Sequence, residues 1–143
     1  LIIYKFKPEC LVIQCGCDGL NTDEHQQWNL TIKGMAFAIN KILSTTEMPV
    51  LLLGGGGYNH TEVAKCWTYL TAIASNFQTE KDDDDDDDYD KWDLIPEHSH
   101  LDCYEGDGYE FWKNEREKRM KDQNEEDGWL DYLKKEILKR DIK

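Results

Sequence analysis

Two short apolar runs, each ending in glycine, constrain the fold of this chain more than any other feature. Residues Cys10–Cys15 (CLVIQC) form the first run, and residues Pro49–Leu53 (PVLLL) form the second and lead into four consecutive glycines. Short continuous apolar runs are typical of strands that are buried on both faces of a parallel sheet. The sequence therefore predicts two such strands.

Helical patterns follow both predicted strands. Between the runs, apolar residues recur at the spacing of one helix face: Ile32, Met35, Ala36, Ile39, Ile42 and Leu43. A strand, a helix and a second strand make a βαβ unit, whose strands are parallel. After the glycines, Asn59 and Glu62 form a plausible capping box for another helix, and a last helix is predicted from about Gly128. The fold class is therefore α/β, with a parallel sheet flanked by helices.

The charge of the chain is strongly negative and partly local. The 143 residues, enough for one domain, carry a net charge of −13, of which −8 falls in residues 80–93. Adjacent aspartates repel one another and bury nothing, so the run Asp82–Asp88 predicts a disordered acidic insertion at about 79–92. An acidic chain is unsuited to direct DNA binding, which uses Lys and Arg, and no segment predicts membrane insertion.

The predicted strands end in sequences that can carry chemistry. Gly16-Cys17-Asp18-Gly19 follows the first strand, and Gly54–Asn59 (GGGGYN) follows the second. Ligands bind beyond the carboxyl ends of the strands in open α/β sheets, so Asp18 and Tyr58 can approach one site. Asp18 can bind a divalent metal or cap a turn. Tyr58 can present its hydroxyl to a developing oxyanion or pack as an ordinary tyrosine.

The order of these motifs resembles that of the class I histone deacetylases. LVIQCGCDGL, WNLT, LLLGGGGYN and KCWTYLT follow one another between about Pro8 and Ala74, and IPEH follows at 95–98. The subtype that the resemblance indicates is the histone deacetylase 8 type. It implies an arginase/deacetylase-like fold, with residues 1–143 as the C-terminal portion of a single catalytic domain.

The resemblance also implies an activity, the zinc-dependent hydrolysis of Nε-acetyl-lysine in histones or other proteins. Asp18 matches one of three ligands of Zn²⁺, and Tyr58 matches the tyrosine that stabilises the tetrahedral intermediate. Gly55 and Gly56 match glycines at the foot of the acyl-lysine tunnel. The other ligands and the paired histidines of the family lie upstream. We therefore expect the upstream part of the same domain as a partner, an inactive chain when it is alone, and a location in nucleus and cytoplasm.

His25 departs from the family pattern, which has Leu or Met at the pocket rim. An imidazole there can hydrogen-bond a ligand, so we place His25 among the substrate-binding residues; the alternative is an exposed loop histidine without a role. Trp28 is predicted to anchor its loop against the fold.

Two other functions fit some of the same residues. An acetylpolyamine amidohydrolase of the same superfamily would share GCDGL and GGGGYN, whereas the IPEH segment favours the histone deacetylases. A non-catalytic module would use the aspartate run to bind basic histone tails, with the fold as a scaffold.

The role of the acidic insertion can be tested by deletion. We expect removal of Asp82–Asp88 to leave zinc affinity and deacetylation nearly unchanged in the assembled domain, because like charges that bury nothing contribute little to a folded site. The measurements are zinc retention and turnover of an acetyl-lysine peptide. A loss as large as that of Tyr58→Phe would show that the run is functional.

Overall fold

The computed structural model of the chain describes residues 2–25, 28–76, 93–113 and 128–139. The elements are α1 (Ile2–Phe6), β1 (Leu11–Gln14), α2 (Ile32–Thr45), β2 (Val50–Leu53), α3 (His60–Ala74), a 3₁₀ helix (Leu101–Asp107) and α4 (Trp129–Lys139). The alternation of strand and helix confirms the predicted α/β class, and the predicted insertion at 79–92 lies outside the described residues. In the described ranges, no helix is long and apolar enough to cross a membrane.

The two strands pair in parallel, as the βαβ order predicts. Leu11 lies opposite Val50, and the register continues to Gln14 opposite Leu53. In the described part of the chain the sheet has these two strands and no others. The carboxyl ends of both strands therefore lie at the same edge of the sheet.

Helices α2 and α3 form the core with one face of the sheet. Thr31 caps α2, because its side chain accepts a hydrogen bond from the backbone N–H of Gly34 at 3.0 Å. The buried core has members from the sheet end, from both helices and from the loop between them: Cys15, Cys17, Leu20, Ile32, Ala36, Ile39, Cys66 and Leu70. Ile13 of β1 and Leu52 of β2 pack against this core.

The other face of the sheet is open, so the prediction that both faces are buried is wrong for the described residues. Val12, Leu51 and Leu53 are 61%, 54% and 44% exposed. These side chains alternate along the strands with those that face the core, since successive residues of a strand point to opposite faces. Both helices cover the face that carries Ile13 and Leu52, which leaves the alternate positions in contact with solvent.

A buried ion-pair cluster ties residues 93–113 to α3. The Nζ atom of Lys65 donates to Oε1 of Glu62 at 2.6 Å and to Oδ2 of Asp107 at 2.8 Å. Burial opposes the charge on Lys65, but its hydrogen bonds to the carboxylates of Asp107 and Glu62 outweigh burial and raise the pKa of Lys65 above its ordinary value of 10.5. Glu62 thus pairs with Lys65, and its backbone N–H donates to the side-chain oxygen of Asn59, the N-cap of α3, at 3.5 Å.

Removing this lysine should destabilise the fold. Lys65→Met leaves the buried carboxylate of Glu62 without its cation, so we expect the free energy of unfolding to fall by about 3–5 kcal/mol near neutral pH. The ion pair makes its full contribution to the free energy of unfolding near neutral pH. Because the pKa of Lys65 is raised in the folded state, this contribution is lost only as the pH rises through that raised pKa. The measurement is denaturant unfolding followed by circular dichroism.

Lys139→Met is the matched control. Lys139 also pairs with a glutamate three residues earlier, Glu136, at 2.9 Å, but both side chains are exposed. Exposed pairs of this kind are worth about 0–1 kcal/mol, so the control should change stability little. An equal fall in the free energy of unfolding for Lys65→Met and Lys139→Met would contradict the conclusion that burial makes the Lys65 ion pair the stronger of the two.

Candidate active site at the carboxyl edge of the sheet

The loops that follow β1 and β2 stay in contact beyond the ends of the strands. The backbone N–H of Cys15 donates to the carbonyl oxygen of Leu53 at 2.8 Å, and that of Cys17 donates to the carbonyl oxygen of Gly56 at 2.6 Å. The loop that carries Asp18 therefore lies against the loop that carries Tyr58. The two residues therefore share one edge of the sheet, as the parallel strands predict. Among the described residues, the cleft at this edge has Asp18 in its lining but not Tyr58, so a common site for the two stays a prediction.

This contact requires glycines in the second loop. A Cβ atom at Gly56 would lie 2.7 Å from Cγ of Asp18. A Cβ atom at Gly55 would overlap the side-chain amide of Gln14 and lie 3.0 Å from the Cα atom of Gly16. A side chain at either position would thus displace its neighbours, which are Gln14 and Gly16 at Gly55 and the Asp18 carboxylate at Gly56.

An open cleft of about 680 Å³ borders the Asp18 carboxylate. Its walls are Gly16, Asp18, Gly19, His25, Trp28 and Leu30, and its size is that of a site for a small molecule or an extended side chain. Trp28 is 63% exposed in this cleft, so the prediction that it anchors its loop is wrong. Backbone hydrogen bonds hold that loop instead, from Leu30 to Gly19 and from Asn21 to Leu30.

His25 and Tyr58 meet edge to face beside the cleft. Their ring centroids are 4.6 Å apart and the ring planes are inclined by 77°, an arrangement that aromatic pairs favour. Tyr58 is 47% exposed, and His25 is exposed as well. The structure therefore brings together the histidine and the tyrosine that the sequence analysis selected separately.

Asp23 is a residue of this edge that the sequence analysis missed. Its side chain is buried, with 2% exposure. Oδ1 accepts a hydrogen bond from the backbone N–H of His25 at 2.9 Å, and Oδ2 accepts one from that of Tyr58 at 2.8 Å. The first contact is a local turn of a kind that aspartate favours. The second spans 35 positions, so nothing in the local sequence could have revealed it.

The cysteine next to Asp18 faces away from the cleft. Cys17 belongs to the buried core, where its hydrogen bond with the thiol of Cys66 lowers the pKa of Cys17 although burial opposes this. Burial, followed by the nearby Cys17, raises the pKa of the Cys15 thiol. These thiols pack in the interior and do not extend the ligand set of the cleft.

Asp18 fits a metal site as one ligand of a larger set. A catalytic zinc ion takes three protein ligands and keeps an open position, and a carboxylate oxygen is one of its usual donors. Asp18 is exposed at the cleft and supplies such a donor. In residues 2–25, 28–76, 93–113 and 128–139, no group of three His, Cys, Asp or Glu side chains converges on one point. These residues fit zinc only as a single carboxylate contribution.

Comparison with known proteins gives consistent matches. The family model of the histone deacetylase domain matches residues 1–74. Human histone deacetylase 1 is 45% identical over 73 residues, which cover 51% of this chain and 15% of that protein. Histone deacetylase HOS1 of Saccharomyces cerevisiae is 34% identical over 134 residues, covering 84% of this chain and 28% of that protein. The chain thus spans less than a third of the length of these relatives.

The close approach at Gly55 makes a stability prediction. Gly55→Ala should lower the free energy of unfolding by about 1–3 kcal/mol, because the added methyl group must push the loop away from the backbone of Gly16. Gly106→Ala is the control, since a Cβ atom there meets nothing within 4 Å, and it should change stability by less than about 1 kcal/mol. Denaturant unfolding measures both. A neutral Gly55→Ala variant would contradict the contact.

Proposed function

The chain belongs to the histone deacetylase family, and from that premise we propose that it supplies part of the active site of a zinc-dependent hydrolase acting on Nε-acetyl-lysine in histones or other proteins. One observation carries the proposal. Asp18 and Tyr58 follow two parallel strands, on loops that hydrogen-bond each other at one edge of the sheet. A metal ligand and a hydroxyl donor at one edge are the groups that such a hydrolysis uses.

Asp18 is proposed as the zinc ligand of this chain. Zinc, when bound, supplies Lewis-acid polarisation of the acetyl carbonyl and lowers the pKa of water. The place of Asp18 does not depend on the metal, because the pairing of β1 with β2 and the contact with Gly56 set its backbone and limit its side chain. The backbone that carries the carboxylate is therefore set before any ion arrives.

Tyr58 is proposed as the donor to the acetyl oxygen. Negative charge grows on that oxygen as water adds to the carbonyl carbon, and a hydroxyl already in position stabilises the charge without reorganisation. Gly55 and Gly56 are proposed as substrate-binding residues from the resemblance alone, because Gln14, Gly16 and Asp18 occupy the space that side chains at these positions would fill. His25 stands at the rim beside Tyr58, where its imidazole can hydrogen-bond the substrate.

The cleft suits the remaining part of an acetyl-lysine side chain. Trp28 and Leu30 give it an apolar wall, and the methylene groups of a lysine are apolar over their whole length. An apolar wall beside a carboxylate suits a substrate with an aliphatic stem and a polar amide end.

The rest of the site is proposed to come from outside this chain. As the order of the motifs implies, residues 1–143 would be the C-terminal portion of one catalytic domain; the matched segments cover 15% and 28% of the two relatives. Further zinc ligands and a general base would come from the upstream part. Assignment to the histone deacetylase 8 type, and a location in nucleus and cytoplasm, stay predictions from the resemblance.

Turnover of an acetyl-lysine peptide tests the proposal. The purified chain with added zinc should be inactive, because a single carboxylate cannot hold the ion, and assembly with the upstream part should give activity. In the assembled domain, Tyr58→Phe should lower kcat by roughly 10²–10³ with zinc retained, the usual loss for one oxyanion donor. Asp18→Ala should instead abolish zinc retention.

Matched controls come from α4, outside the cleft. Tyr132→Phe and Asp131→Ala make the same chemical changes at exposed positions of that helix, and both should keep activity and zinc. Robust turnover by the chain alone, or full activity of Tyr58→Phe, would mean that other groups catalyse the reaction.

A further inference from the structure

A buried carboxylate joins the two loops of the candidate site. Asp23 is almost fully enclosed, and each of its oxygens accepts one backbone N–H, from His25 at 2.9 Å and from Tyr58 at 2.8 Å. A second link lies beside it, where the side-chain amide of Asn59 donates to the carbonyl oxygen of Thr22 at 3.2 Å. The segment of residues 21–25 is thereby attached to the start of α3.

The two residues that Asp23 holds are the ones whose rings meet. Hydrogen bonds to an ionised carboxylate are shorter and stronger than those between neutral groups, and burial excludes the water that would compete for them. Tyr58 itself is half exposed, so surrounding packing restrains its ring only in part. The orientation of Tyr58 depends on its backbone, which donates a hydrogen bond to Oδ2 of Asp23. It also depends on the neighbouring ring of His25, whose own backbone donates to Oδ1 of Asp23.

We propose that Asp23 is a positioning residue for Tyr58. It holds the tyrosine backbone directly, and it holds the ring through His25, so that the side chain of Tyr58 keeps one orientation at this edge of the sheet. The inference rests on the proposed function, because it assigns a role in the same reaction. Asp23 is buried behind the loops and acts only through Tyr58 and His25.

Asp23→Asn is the variant that tests this role. Asparagine has nearly the same shape but offers one acceptor oxygen, and its amide group opposes the second N–H donor. In the assembled domain we expect kcat on an acetyl-lysine peptide to fall roughly 10- to 100-fold, the scale for a small misplacement of a catalytic group. Zinc should be retained, since neither Asp23 nor Tyr58 is a proposed ligand, and the loss should appear in kcat rather than in KM alone.

Glu24→Gln is the matched control. It removes the charge of the next residue, whose side chain is exposed, and it should leave kcat unchanged. Equal losses from Glu24→Gln and Asp23→Asn would overturn the proposal, because the effect would then come from loop charge in general.

A double-mutant cycle separates positioning from a merely structural role. If Asp23 acts through Tyr58, then Asp23→Asn should cost less than about threefold once Tyr58→Phe has removed the hydroxyl. If Asp23 only stabilises the loops, it should cost the same factor in both backgrounds, and the proposal would fail. Comparing kcat per zinc-loaded molecule removes any contribution from unfolded protein.

Backbone hydrogen exchange in the 143-residue chain gives a readout that needs no activity. Asp23→Asn should speed exchange at the amide of Tyr58 or His25 roughly tenfold, the effect of losing about 1.4 kcal/mol of protection, while Glu24→Gln should not. An inactive assembled domain would count against the proposed function, and exchange would still decide whether Asp23 holds these residues. If no Asp23 variant folds, fast exchange at both amides in the wild-type chain would overturn the proposal, and slow exchange would support it.

Discussion

The parallel backbone pairing of β1 with β2 determines where every proposed site residue lies. It continues past the strand ends, through the hydrogen bonds from Cys15 to Leu53 and from Cys17 to Gly56. Such close contact is possible only because glycines leave the second loop without side chains. The carboxylate of Asp18 occupies the space that a side chain at Gly56 would fill. The same close contact therefore favours glycine at Gly56 and limits where the carboxylate of Asp18 can lie.

Polar contacts, more than apolar packing, set the geometry of the loop after β1. Asn21, Thr22 and Asp23 are all buried, although such residues are mostly exposed in proteins. Apolar contacts are non-directional, whereas hydrogen bonds to a buried carboxylate specify both distance and direction. The ion pairs of Lys65 are buried as well, but they attach residues 93–113 to the middle of α3. Within the described ranges, the buried carboxylate of Asp23 thus lies at the candidate site, and the charged cluster around Lys65 is separate from it.

Local sequence patterns predicted the strands and helices, because each pattern extends over the same consecutive residues as the strand or helix that it predicts. The run LVIQ became β1, and the helical spacing from Ile32 to Leu43 became α2. The parallel register followed from the βαβ order, and with it the common edge of Asp18 and Tyr58. The open face of the sheet did not follow, because apolar residues at both the core-facing and the alternate positions of the strands do not reveal what covers each face.

Contacts between distant segments were beyond the reach of the sequence. Asp23 lies in the polar stretch TDEH, where an aspartate has the composition of an ordinary turn residue, and its partner Tyr58 is 35 positions away. The prediction that Trp28 anchors its loop was wrong for a related reason. A large aromatic residue in a loop is expected to bury its ring, but cleft residues are often aromatic and exposed. In both cases the exposure of the side chain is opposite to what is usual for the residue type, because Asp23 is buried and Trp28 is exposed.

The open sheet face and the single proposed ligand have one physical explanation under the proposed assembly. Val12, Leu51 and Leu53 expose apolar surface, and covering it would stabilise the domain by about 25 cal/mol per Å² buried. Further parallel strands would also bring their carboxyl ends to the edge where Asp18 lies. The association that buries the open face would then complete the ligand set. Because Asp18 is held by strand pairing before any ion binds, zinc affinity should depend on assembly more than on movement of Asp18.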